Sequence, residues 1–298
     1  MAGADRICKS FAGKPAPTAR ACFHCQGPLP QPGQLRGHNH EDLRMSETDE
    51  NHILSTCDGG VQILHIHRPD KKNALTGEMY RALANGIRMA DNDPAVRVIL
   101  LRGEEDCFTS GNDVNDFVGS DDRSGERPSV LFMKAIAHAR KPLVAAVNGL
   151  AVGIGTTLLM HCDLVYAADD AWLQLPFARL GLCPEAGSSY LAPLLMGHQR
   201  AAELLLLGER FSAEKARECA LVNEVLPAAQ VLPRALERAK ALAALPAEAV
   251  QTSKHLLKRP QQAAIDETIA LELVNFSRLL HSEEAQAIMQ AFLARKRG

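Results

Sequence analysis

The feature that most constrains this chain is a change of texture along its length. Between Val61 and Ala167 short apolar runs of strand length alternate with segments of helical period, and from Arg200 onward the pattern is helical almost throughout. Val61-Gln-Ile-Leu-His-Ile-His67 alternates as a strand does. Thr76 can cap a helix whose apolar face is Met79, Leu83 and Ile87, at steps of four. Asn92-Asp-Pro94 ends that helix, and Val96-Arg-Val-Ile-Leu-Leu101 follows as a buried strand. Lys141-Pro-Leu-Val-Ala-Ala-Val147 is another strand, closed by Asn148-Gly149. Gly155 to Met160 is helical, and Asp163-Leu-Val-Tyr-Ala167 returns to strand. Turn signals near Gly208 and at Leu245-Pro-Ala247 punctuate the helical part. Strands in the first two-thirds and helices in the last third define a mixed α/β core with a helical C-terminal section.

Composition narrows the possible partners. The 298 residues fit one large domain plus an appendage. One Trp and three Tyr leave the core to Leu, Ile, Val and Ala. With 33 basic against 35 acidic residues the net charge is −2, so the dominant basic surface that nucleic acid or an anionic membrane would need is missing. No uninterrupted apolar run approaches the roughly 20 residues that span a bilayer. Arg6 and Lys9 precede no apolar segment of the kind a secretory signal carries. Eight cysteines are too sparse for a disulfide framework, and Cys107, Cys162 and Cys183 lie beside apolar segments, so a reducing cytoplasm is the expected setting.

Residues 1–50 stand apart. They are rich in Gly, Pro, His and charge without periodic apolar positions, and are expected to form a poorly ordered tail. The core is expected over 51–245, with a C-terminal helical section over 246–298. Cys22 and Cys25, with His38 and His40, match no common zinc spacing, so a tail without metal is the preferred reading over a structural zinc site. Met45 offers an alternative start.

Three segments carry candidate chemistry: Cys107-Phe-Thr-Ser-Gly-Asn-Asp113, Asn148-Gly-Leu-Ala-Val-Gly-Ile-Gly-Thr-Thr-Leu158, and Leu180-Gly-Leu-Cys-Pro-Glu-Ala-Gly-Ser-Ser189. In the first two, glycines let the backbone turn sharply and present N–H groups. Gly153 and Gly155 flank Ile154 at a helix start, where unpaired N–H groups and the helix dipole favour an anion. Two such loops facing each other would make an oxyanion hole, although either alone marks no more than a turn. The glycines form neither a dinucleotide fingerprint nor a P-loop, since the third glycine of the one and the Gly-Lys-Ser/Thr of the other are missing.

Taken in order, Arg68-Pro-Asp-Lys-Lys-Asn-Ala-Leu75, Phe108-Thr-Ser-Gly-Asn-Asp113, Lys141 to Gly149, Cys162-Asp-Leu-Val-Tyr-Ala167, Leu204 to Gly208, Phe211-Ser-Ala-Glu-Lys-Ala216 and Leu221-Val-Asn-Glu-Val225 resemble successive landmarks of the crotonase (enoyl-CoA hydratase/isomerase) superfamily. The likeness runs from about Asn51 to the end. It implies a spiral of ββα repeats, with C-terminal helices that build a homotrimer or a hexamer. It implies an acyl-CoA thioester as substrate, with no further cofactor and no metal. By this resemblance the oxyanion hole is formed by the backbone N–H groups of Ser110 and Ile154. Lys71, Asn73 and Ala74, with Gly111, Asn112, Asp113, Gly153 and Gly155, should border the CoA and the thioester.

Hydratases of the family activate water with two glutamates, and this chain has Thr157 and Phe177 at those places. What remains is Glu185, at the position where peroxisomal-type Δ3,Δ2-enoyl-CoA isomerases carry their single catalytic glutamate. The resemblance therefore implies an isomerase that moves a double bond by a one-base proton shuttle. A hydratase or another enolate chemistry is the alternative, and a catalytically inactive acyl-CoA-binding scaffold is the alternative from a different class. Read from the residues alone, Glu185 is also compatible with a carboxylate in a first helical turn, since Pro184 suits a helix start. Asp113 and Asp163 are expected to order backbone. Ser188 and Ser189 are candidate supports for the Glu185 segment, and His65 and His67 receive no role. Lys254, Lys258, Arg295, Lys296 and Arg297 are candidates for the CoA phosphates or for solvated charges. Acyl-chain contacts are expected in the Ser120 to Met133 stretch.

Overall fold

A computed structural model of the chain describes residues 52–113 and 127–295. Cys22, Cys25, His38, His40, Met45, the first part of the Ser120 to Met133 stretch, Lys296 and Arg297 lie outside the described residues. In chain order the strands are β1 (Ile53–Asp58), β2 (Val61–Ile66), β3 (Val98–Arg102), β4 (Cys107–Thr109), β5 (Leu143–Val147), β6 (Leu150–Val152), β7 (Leu164–Ala168), β8 (Trp172–Gln174), β9 (Arg210–Ser212) and β10 (Glu224–Leu226). The helices are α1 (Gly77–Asn92), α2 (Pro128–His138), α3 (Ile154–Thr157), α4 (Ser188–Met196), α5 (His198–Ala202), α6 (Ala213–Glu218), α7 (Ala228–Ala243), α8 (Ala247–Leu280) and α9 (Glu283–Arg295).

The strands form two sheets, in the orders β1-β2-β3-β5-β7-β10 and β4-β6-β8-β9. Each of the consecutive pairs β3/β4, β5/β6 and β7/β8 places its first strand in the larger sheet and its second in the smaller, and helical turns follow. That repetition is the expected spiral of ββα units. Pairing is parallel from β2 through β10 in the large sheet and from β4 through β8 in the small one. Parallel strands covered on both faces read as continuous apolar runs. Val98, Ile99, Leu100 and Leu101, and likewise Leu143 to Val147, are buried accordingly. Each such large side chain contributes about 1.5–3 kcal/mol through burial.

Local signals place the elements. Thr76 caps α1 by accepting a hydrogen bond from Met79 N, and the helix buries Met79, Leu83 and Ile87. Asp163 orders two strands at once: its Oδ2 accepts from Leu143 N at 2.7 Å at the head of β5, just before β7 begins. Asn223 does the same between β7 and β10, its Oδ1 accepting from Val165 N at 2.7 Å. α7 buries only small or β-branched residues against the large sheet, Val231, Ala235 and Ala239, at steps of four. α8 is 34 residues long with Pro260 inside it. Its second half buries Ile265, Ile269, Glu272, Phe276 and Leu280, one stripe of helical spacing. No helix among the described residues is long and apolar enough to cross a membrane.

Two readings change here. The region after Arg200 is not wholly helical, because β9 and β10 lie in it, and three-residue strands are too short to show a period. Pro128 to Met133, the described end of the Ser120 to Met133 stretch, opens a Pro-led helix, α2. Lys254 is buried and ion-paired with Asp163 at 2.7 Å, and it also donates to Lys141 O, so it is no candidate for a CoA phosphate.

Candidate active site

The site grows from the two glycine loops, which the small sheet brings side by side. β4 pairs with β6, so Cys107 lies opposite Leu150 and Thr109 opposite Ala151. The loops that continue from these strands touch through their glycines. A Cβ at Gly111 would stand 2.8 Å from Val152 O, and one at Gly155 would stand 2.6 Å from Thr109 Cγ2. Gly111 also has φ +89°, a conformation that other residues avoid. Glycine is required at both places for close approach, and that approach sets the two rows of N–H groups against each other.

Which N–H groups remain available follows from the hydrogen bonds. Ser110 N donates to Lys72 O at 3.0 Å, Gly111 N to Thr109 Oγ1 at 3.1 Å, and Asp113 N to Leu75 O at 3.0 Å. Among the described residues, Asn112 N alone in this run has no acceptor. It lies at a parallel bridge to Leu75, whose bonds are made by the residues on either side of it. Ser110, expected to supply the first oxyanion donor, thus has its N–H engaged, and Asn112, two positions on, carries the N–H left open in this loop. Ile154, the other expected donor, has its N–H open. Ile154 opens α3, Thr156 N and Thr157 N both donate to Gly153 O at 2.9 Å, and the N–H groups of Ile154 and Gly155 have no acceptor among the described residues.

The residues before the first loop brace it. Asn73 is fully buried: its Nδ2 donates to Cys107 O and Phe108 O, and its Oδ1 accepts from Arg68 N. It shapes the loop from behind and is not open to a ligand, which corrects its place among the substrate contacts. Asp113 pairs with Arg68 at 2.7 Å, and Arg68 also donates to Ala74 O, so Asp113 has the ordering role expected of it. Tyr80 OH donates to Asn112 Oδ1 and fixes that side chain. Lys71 is exposed, and Ala74 is nearly buried.

Glu185 is 3% exposed, and Thr157 Oγ1 donates to its Oε1 at 2.7 Å. Its Oε2 is buried with no partner among the described residues. Thr157 is thus more than a missing glutamate. It sits on the same helical turn as Ile154 and orients the acid from the oxyanion helix itself. Burial raises the Glu185 pKa to about 8, against the lowering effect of the Thr157 hydrogen bond, and the Glu272 charge adds to the rise. Ile154, Phe177 and Leu182, the apolar residues expected near it, are all buried in the core.

Glu185 does not lie in a helix's first turn, because α4 starts only at Ser188. Between them Ala186 and Gly187 take φ +56° and +72°. For alanine that conformation is strained by roughly 1–3 kcal/mol and must be over-determined by its surroundings. Three groups do this. His161 Nε2 donates to Ala186 O at 2.7 Å, and burial lowers this imidazole's pKa to about 4, so it is neutral. Ser188 Oγ donates to Glu185 O at 2.6 Å. Glu272, from α8, accepts from Gly187 N at 2.6 Å, Ser189 N at 2.9 Å and Ser189 Oγ at 2.6 Å. The sequence alone pointed to Ser188 and Ser189 as supports but not to His161 or Glu272.

The site thus joins the open N–H groups of Asn112, Ile154 and Gly155 to one buried, singly tethered carboxylic acid. Residues 56–297 match the family model described as enoyl-CoA hydratase/isomerase. The chain is 36% identical over 250 residues to enoyl-CoA delta isomerase 2 of Rattus norvegicus, covering 82% of this chain and 64% of that protein. It spans, therefore, somewhat less than two-thirds of that relative's length. Among solved structures, the enoyl-CoA hydratase/isomerase of Pseudoalteromonas atlantica T6c superposes with a TM-score of 0.80 at 36% identity, over 82% of this chain and 98% of that one. OdaA of Pseudomonas aeruginosa gives 0.79 at 45% identity, over 82% and 99%. The chain belongs to the enoyl-CoA hydratase/isomerase family.

Proposed function

We propose that this chain is a Δ3,Δ2-enoyl-CoA isomerase with Glu185 as its single acid–base group. The observation that carries the reading is the pair of oxygens on Glu185: one is held by Thr157, and the other is buried and free to meet a substrate proton. In this mechanism the carboxylate removes a proton from C2 of a 3-enoyl-CoA, the C2 electron pair delocalises, and the thioester oxygen becomes the oxyanion of a dienolate. The N–H groups of Asn112 and Ile154 receive that oxygen, each donor of this kind being worth about 3–4 kcal/mol. The acid then returns the proton to C4 and the double bond comes to rest between C2 and C3. One base is enough because no water is held. Thr157 and Phe177 stand where a hydratase needs carboxylates, and neither can activate water.

The kinship to an enoyl-CoA delta isomerase supports this reading, and the lack of carboxylates at Thr157 and Phe177 favours it over hydration. The test is to give the protein trans-3-enoyl-CoA and, separately, trans-2-enoyl-CoA, and to follow products by chromatography. The expected result is conversion of the first to the 2-enoyl thioester without appreciable 3-hydroxyacyl-CoA. Fast hydration of the second without isomerisation of the first would establish a hydratase instead.

The same reading carries the expected homotrimer or hexamer. Leu206, Leu207, Leu256, Leu257, Leu271 and Val274 are exposed in the single chain, an apolar surface that further copies would cover. Light scattering of the intact chain should give three or six times the protomer mass, and a monomer would rule this part out.

A further inference from the structure

β2 turns Leu64 and Ile66 into the core, so His65 faces the other way, and His67, the first residue past the strand, continues that alternation. Glu104 follows β3, the strand that pairs in parallel with β2. We propose that His65, His67 and Glu104 form a binding site for a divalent transition-metal ion of the Zn2+ class, separate from the Glu185 site. Glu104 Oε1 lies 2.8 Å from His65 Nε2 and 2.6 Å from His67 Nδ1, and the three candidate ligand atoms all fall within 4.8 Å of one another. Ligand atoms bonded to one zinc at about 2.0–2.2 Å stand roughly 3–3.5 Å apart, so the set needs only to open slightly to take an ion.

The chemistry of the three groups suits that use. His65 Nε2 is shielded from solvent and has no well-formed hydrogen bond among the described residues, although Glu104 Oε1 is close by. Glu104 Oε1 faces both imidazoles, so one carboxylate oxygen already bridges the two rings. His67 is about half exposed, which gives an ion and its remaining water ligands a way in. Arg102 is the adverse neighbour; its Nε is engaged by Gly103 O, and the Glu104 charge offsets it.

An ion here would tie β2 to the turn that leads from β3 into β4 and the Asn112 loop. It would also hold the residue next in the chain to Arg68, the partner of Asp113. The site would then stiffen the support of the oxyanion loop without contacting substrate.

The experiment is a titration of the full chain with Zn2+ alone, in competition with a chromogenic chelator, for wild type, His67→Ala and Glu104→Gln. Thiols and imidazoles elsewhere, those of residues 1–50 included, are common to all three and cancel in the comparison. Wild type is expected to bind one equivalent that His67→Ala lacks, and Glu104→Gln is expected to bind it at least tenfold more weakly. Zn2+ should raise the melting temperature of wild type more than that of His67→Ala. Because the His67 side chain is exposed, that variant should fold, as circular dichroism will verify. Equal stoichiometry and affinity in all three proteins would overturn the proposal.

Discussion

Glu185→Gln is expected to lower kcat for isomerisation of trans-3-enoyl-CoA by about 10²–10⁴, with little change in KM. The amide keeps the shape of the acid and can still accept from Thr157, so binding survives while proton transfer does not. The same substitution should make the protein more stable at neutral and alkaline pH. The sign follows from the raised pKa: between the ordinary value of 4.5 and about 8 the folded state holds a proton that the unfolded state releases. The native protein therefore loses stability as pH rises through that window. Glutamine has no charge to bury, so its advantage should grow from pH 5 to pH 8. It should reach a few kcal/mol, because each pH unit within the window contributes about 1.4 kcal/mol. Urea denaturation of both proteins at several pH values measures it. A less active protein that is also no more stable at pH 8 would contradict the burial argument.

The second large effect is expected for Glu272→Ala. Its carboxylate accepts three hydrogen bonds, from Gly187 N, Ser189 N and Ser189 Oγ, and removing it leaves the buried Gly187 N–H and the two part-buried Ser189 donors without this partner. Each such donor costs about 1–3 kcal/mol unless water fills the space, so a loss of roughly 3 kcal/mol in urea denaturation is the expected outcome. The Ala186-Gly187 turn would also lose one of its restraints. A displacement of about 1 Å at the base is enough to cost on the order of 10²-fold in rate. kcat should therefore fall in protein that is still folded, while KM moves little. Glu272→Gln, which retains one acceptor oxygen, should lie between the two. If the alanine variant kept full kcat, Glu272 would be a stability element only.

Much of this architecture is legible in the sequence, because the physics there is local. Continuous apolar runs mark Val98 to Leu101 and Leu143 to Val147 as covered strands, Thr76 marks a helix start, and Gly111, Gly153 and Gly155 mark backbone held in unusual conformations or in close contact. Glu185 stands out because both positions that a hydratase would fill with glutamate hold other residues. The errors have a common cause in long-range pairing. The resemblance points to Ser110, and only the bonds to Lys72 and Leu75, well back in the chain beyond α1 and β3, show that its N–H is engaged while that of Asn112 is open. Asn73 looks like a ligand contact until its amide is seen to hold Cys107 and Phe108. Glu272 reads as an ordinary charge on a long helix, and its partners lie 83 and 85 residues earlier. Lys254 is hidden in the same way by its pairing with Asp163.

The central claim is that one buried carboxylate, Glu185, must be ionised to start the reaction. The pH dependence of kcat/KM for trans-3-enoyl-CoA measures this in the unmodified protein, since that ratio reports the free enzyme's essential base. With its pKa raised to about 8, the rate should fall tenfold for each pH unit below that value and level off above it. A kcat/KM that stays constant from pH 9 down to pH 6 would contradict the account.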